Sequence, residues 1–178
     1  MNSDPRPAQP VKRLVAALYA DPEVLGRALA ALAGNWGRVD HEGAPQEFDA
    51  TDYYRSEMGD GLKRTLVSFA PLMDPSTLAD AKIEAIALER ELSAPRGRTV
   101  NLDVGYLDAF KVVLASCKAG AAKVYLRDGI YADPVASYAK GRFTPAEWTF
   151  PDFRRGLYDR DLLRVRELYK AELRGQAR

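Results

Sequence analysis

The sequence predicts an α+β domain, a single and mainly antiparallel sheet packed by two or three helices. Three observations carry this: short apolar runs of strand length, two helices that each open on Asp-Pro, and Asp-Gly and Lys-Gly turns between the last apolar runs. At 178 residues, 47% apolar and 29% charged, the chain fits one domain with one core. Residues 1–10 hold three prolines and few apolar groups, so they read as a flexible leader ahead of a domain over 11–178.

In chain order, RLVAALYA (13–20) is an apolar run of strand length bounded by turn chemistry. A helix follows over 22–33, capped by Asp21, opened by Pro22 and stopped at Gly34. QEFDA is a strand end, and KRTLVSFAPL (63–72) is a second strand. Asp74 and Pro75 open a second helix over 75–92, with Leu78, Ala81, Ala85, Leu88 and Leu92 spaced three and four apart. TVNLDVGYL alternates as a strand, whereas AFKVVLASC fits strand and helix equally well. Strands near 122–132 and 135–148 meet at tight turns, and a C-terminal helix spans about 157–174. The two Asp-Pro helices, each between strands, suggest a split βαβ or ferredoxin-like topology.

Charge and composition narrow the function classes. Lysine and arginine total 26 against 25 acids, a net charge of +1, so no global field steers the chain to nucleic acid or an anionic membrane. The basic excess after Arg154 reads as a solvated helix face, and nucleic-acid binding is not expected. One cysteine and one histidine exclude an internal disulfide and an ordinary zinc set. No signal peptide and no span of bilayer length is visible, which points to a cytoplasmic protein without a membrane partner.

Several phrases together, FDATDYYRSEMGDGLKR with SFAPLMDP, RTVNLDVGYLDAFKVVLASCK, KVYLRDGIYAD and EWTFPDFR, resemble a bacterial family, domain of unknown function 4416. The resemblance covers about residues 12–155 and supplies no mechanism. The chain departs from the family pattern at Val104, where the family has proline, and at Ala122 and Lys123, where it has His-Arg. Some relatives carry a GTP-binding label. A phosphate loop of the Gly-x4-Gly-Lys-Ser/Thr type is absent, however, and GDGLKR leads into a strand, which is the wrong context for one.

Three segments concentrate the chemistry. TDYYRSEMGDGLKR (51–64) has no clean period and sets Asp49, Asp52 and Glu57 close in sequence to Lys63 and Arg64, with Tyr54 beside them. Carboxylates suit Mg2+ and a Lys-Arg pair suits phosphate. The alternative is a capped turn with Tyr54 on the core edge and ordinary surface pairs. NLDVGYL puts Asn101, Asp103 and Gly105 on one strand face, and Asp133 can meet the same cavity. Lys118 and Lys123 flank the small-residue stretch AGAA. Glu57, Asp103 and Asp133 are therefore the catalytic candidates, and Glu57 with Asp103 the Mg2+ candidates. Asp52, Tyr54, Lys63, Arg64, Lys118 and Lys123 are the ligand-binding candidates. The expected ligand is a phosphorylated or otherwise anionic small molecule; a rigid polar surface for a protein partner is the alternative. Convergence in one concavity favours the first and scatter over a flat face the second. Lys82 reads as reaching a pocket or snorkelling to water. Cys117 reads as a buried small hydrophobe, His41 as a surface residue, and the aromatics of EWTFPDF as packing a last strand on the core.

Overall fold

The computed structural model describes residues 4–49 and 54–176. Lys12–Tyr19 forms β1, seven of whose eight residues are buried. The Asp21 carboxylate then accepts the Glu23 amide at 2.8 Å and Pro22 opens α1 (Pro22–Trp36), which ends at Gly37 with φ of 93°. Two short strands, β2 (Val39–Glu42) and β3 (Gln46–Glu47), and the one-turn α2 (Arg55–Met58) lead to β4 (Lys63–Phe69). Asp74 caps the Ser76 amide at 2.8 Å, but the first turn is a 3-10 helix over Pro75–Thr77, with α3 following over Leu78–Glu91. The remaining elements are β5 (Val100–Leu107), β6 (Lys111–Ser116), β7 (Val124–Arg127), β8 (Ile130–Ala139), β9 (Arg142–Pro145), α4 (Pro151–Arg154) and α5 (Asp159–Gln176).

Among the described residues, all nine strands belong to one antiparallel sheet ordered β2-β4-β1-β5-β6-β8-β7, with β3 added to β4 and β9 to β8. Because β1 is antiparallel to both β4 and β5, those two run parallel to each other and are joined through α3. By the same reasoning β2 runs parallel to β1 and is joined through α1. These are two interleaved split βαβ units, compatible with the ferredoxin-like expectation, and β6 to β9 extend the sheet beyond them.

The expectation of one core is corrected: the alternation of β1 separates a cluster on each face of the sheet, and Leu18 packs in a third with Phe48, Tyr54, Met58 and Leu62. Val15, Ala17 and Tyr19 meet α1 and α3 on one face, with Val67, Leu102 and Val104 beside them. Leu14 and Ala16 meet Val165 and Tyr169 of α5 on the other. Among the described residues no helix is long and apolar enough to cross a membrane.

Several local expectations are corrected. AFKVVLASC contributes the strand β6, whose run KVVLAS is buried on both faces and so carries no period. The segments around Pro134 form one strand, β8, which tolerates the proline because the register shifts beside it. The last strand ends at Pro145 instead of reaching residue 148, and Pro151 opens α4. Phe153 is buried there, but Trp148 is 57% exposed. Cys117 is exposed. His41 is half-buried, 2.9 Å from Asp161 of α5.

Candidate functional site

The site begins where two strands part. β5 and β6 pair only through Gly105, Tyr106 and Leu107 with Leu114, Val113 and Val112. At Gly105 a Cβ would lie 2.2 Å from the Val113 carbonyl oxygen, so the apex of the split closes only around glycine. Beyond it the Leu102 backbone has no β6 partner, and α3 supplies one. The Glu89 carboxylate accepts the Leu102 N–H at 2.6 Å, and Lys82 donates to the Leu102 carbonyl at 2.7 Å. Lys82 and Glu89 stand about two turns apart, on one helix face. Burial pushes the Glu89 carboxyl above its ordinary range, with Lys82 and Arg98 opposing.

Between the parted strands lies a cavity of about 250 Å³. Arg98, arriving from the β5 approach, grips Glu57 of α2 with a fork, Nε to Oε1 at 2.8 Å and Nη2 to Oε2 at 2.7 Å. Its Nη1 donates to Asn101 Oδ1 at 2.7 Å. Because an arginine only donates, this bond fixes which end of the Asn101 amide is oxygen. The other end, Nδ2, is buried and has no hydrogen-bond partner among the described residues, and Asn101 is one of the residues that wall the cavity. On the facing side Lys123 donates to Ser116 Oγ at 2.8 Å and lies 3.3 Å from Asp133, whose other oxygen accepts the Trp148 indole at 3.1 Å.

The walls carry four cations, Lys82, Arg98, Lys118 and Lys123, and two carboxylates, Asp103 and Asp133. Counter-charges Glu57 and Glu89 sit behind them, paired to Arg98 and Lys82. The cavity wall therefore carries more cations than carboxylates, although the cluster as a whole is balanced.

Arg64 lies behind Asp103 and is fully buried. Its guanidinium donates to Asp152 at 2.8 Å and to Asp103 at 3.3 Å, and rests over the rings of Phe48 and Phe150 at 4.5 and 4.7 Å. Burial opposes its charge, but the two carboxylates outweigh that and hold the Arg64 pKa above its usual value. Tyr158 donates to Asp152 at 2.8 Å, and burial, then the Asp152 charge, raises its phenol.

Of the residues singled out in the sequence, Tyr54, Asp103, Lys118, Lys123 and Asp133 wall this cavity. Glu57 reaches it only through Arg98, and Arg64 only through Asp103. Lys63 does not join them: it follows the strand alternation to the opposite face, half-exposed and 3.7 Å from Glu47. Asp52 lies outside the described residues. Glu57 and Asp103 are engaged by different arginines, and no group of three or more His, Cys, Asp or Glu among the described residues is placed to hold an ion. Lys82 does reach the cavity. Arg98, Ser116 and Trp148 were missed, because they enter through the divergence of β5 and β6 and through the 146–150 segment, which no sequence period marks.

The fold and the cleft define a single-domain α+β protein with a cationic-walled cavity opened by two diverging strands. The chain belongs to the family described as Domain of unknown function (DUF4416), whose model matches residues 9–169. Comparisons with curated proteins and with solved structures give no match.

Proposed function

We propose that the protein binds a phosphorylated or otherwise anionic small molecule in the cavity between β5 and β6. The observation that carries this is Asn101 Nδ2, a buried donor without a partner among the described residues, on a residue held by Arg98 in a wall that also bears Lys82, Lys118 and Lys123. A buried donor left unmatched costs about 1 to 3 kcal/mol, and an oxyanion accepting from it removes that cost. Five of the candidate residues, Tyr54, Asp103, Lys118, Lys123 and Asp133, share one concavity, which supports a small ligand over a protein-interaction surface. Glu57, Asp103 and Asp133 are each committed to a base, Arg98, Arg64 and Lys123 respectively. That arrangement supports binding better than proton transfer, which needs a carboxylate poised to exchange its proton.

The test is calorimetric titration with inorganic phosphate at constant ionic strength, with chloride as control. Saturable binding that also raises the melting temperature is expected. Heats and melting temperatures indistinguishable from chloride up to millimolar phosphate would remove the proposal.

A further inference from the structure

Resting on that anion-binding reading, we infer that the ligand carries an aromatic or similarly planar group, which lies against Trp148 in a second lobe continuous with the anion cavity. This lobe has a volume of about 360 Å³ and shares Lys123, Asp133 and Phe150 with the first. Its remaining walls are mostly apolar, with Trp148 and Pro151 beside the small residues Gly120, Ala121 and Ala122 among those that line it. Trp148 is 57% exposed, although a tryptophan that only covered the core would be buried. It is nevertheless tethered, since its indole N–H donates to Asp133 Oδ1 at 3.1 Å while Asp133 Oδ2 lies 3.3 Å from Lys123. One carboxylate thus couples the aromatic wall to a cation of the anion lobe, fixing their spacing. Thr149 also lines this lobe, and its Oγ1 is buried with no partner among the described residues, so a small shift of the side chain would offer a hydroxyl to a polar ring substituent. An exposed but immobilised indole offers a planar group a stacking surface at little cost in side-chain entropy.

Fluorescence isolates the effect. The chain has two tryptophans, and Trp36 is buried edge-to-face on Phe69, so quenching by a ligand reports Trp148. Inorganic phosphate and phenyl phosphate are titrated into the wild type, Trp148→Phe and Trp148→Ala, with affinity read by calorimetry. Phenyl phosphate should quench the wild type and bind it about tenfold or more tighter than phosphate, as one stacked ring allows. Trp148→Phe should keep most of that advantage and Trp148→Ala should lose it. If phosphate binds and phenyl phosphate binds no tighter, the planar-group inference fails while the anion reading stands. If neither binds, both fail.

Discussion

Arg64 and Asn101 flank Leu18 across neighbouring strands, on one face of the sheet, and both are buried and polar. Their surroundings are opposite. The terminal nitrogens of Arg64 are taken by Asp103 and Asp152, and its plane rests over two phenylalanine rings. Its Nε also lacks a partner, but Arg64 does not wall the cavity, whereas the unpartnered Nδ2 belongs to a residue that does. Burial of a polar group is thus not the mark of a site. A donor held rigidly and left unmatched, on a residue that walls an opening, is the sharper one.

The largest effect should come from closing the comparison at Arg64. Arg64→Met leaves Asp152 buried without its charge partner and should cost about 3 to 5 kcal/mol in urea denaturation. A loss below about 1 kcal/mol would mean that this cluster is not what holds α4 to the sheet. Next, Gly105→Ala places a Cβ against the Val113 carbonyl, forcing β5 and β6 apart at their apex, and should cost about 1 to 3 kcal/mol while weakening phosphate binding. Retained binding would detach the cavity from the strand split.

A smaller effect is expected from acid. Hydrogen bonds from Arg98 hold the Glu57 carboxyl below its ordinary 4.5, with partial burial opposing. A depressed acid contributes stability that is present above 4.5 and lost as pH falls through the lower folded-state value. The wild type should therefore lose about 1 kcal/mol or less more than Glu57→Gln between pH 5 and strong acid, because the fork is partly exposed. Equal acid slopes would show the fork to be energetically silent. Smallest of all in stability is Lys123→Ala, expected within about 0.5 kcal/mol of wild type yet without the phosphate-induced rise in melting temperature. An intact rise would place the anion elsewhere.

Much of the frame was legible because it is local. Asp21-Pro22 and Asp74-Pro75 announce both crossover helices, and the alternation through 101–105 correctly puts Asn101, Asp103 and Gly105 on one face. The same alternation separates Lys63 from Arg64, although adjacency in sequence suggested a pair. β6 was ambiguous because burial on both faces erases its period, and β2 is too short and polar to stand out, whereas QEFDA marks β3. The site was legible only in part for a different reason. Asp103 and Asp133 were visible as strand carboxylates, but their partners Arg64 and Lys123 are 39 and 10 positions away in sequence. The missing β5–β6 ladder beyond Gly105 is a property of two strands together, so neither strand's sequence contains it.

The most direct test is to reverse Asn101 itself. Asn101→Asp retains an oxygen for Arg98 and replaces the unmatched N–H2 by a second acceptor; the charged Arg98 contact offsets part of the cost of burying that oxygen, so the fold should hold with a modest loss of stability. Calorimetric titration of this variant with inorganic phosphate, beside the wild type at pH 7, is predicted to give at least a tenfold loss of affinity, about 1.4 kcal/mol or more, through repulsion and the lost donor. A folded Asn101→Asp protein that binds phosphate as tightly as the wild type would contradict the central claim that this donor faces the anion.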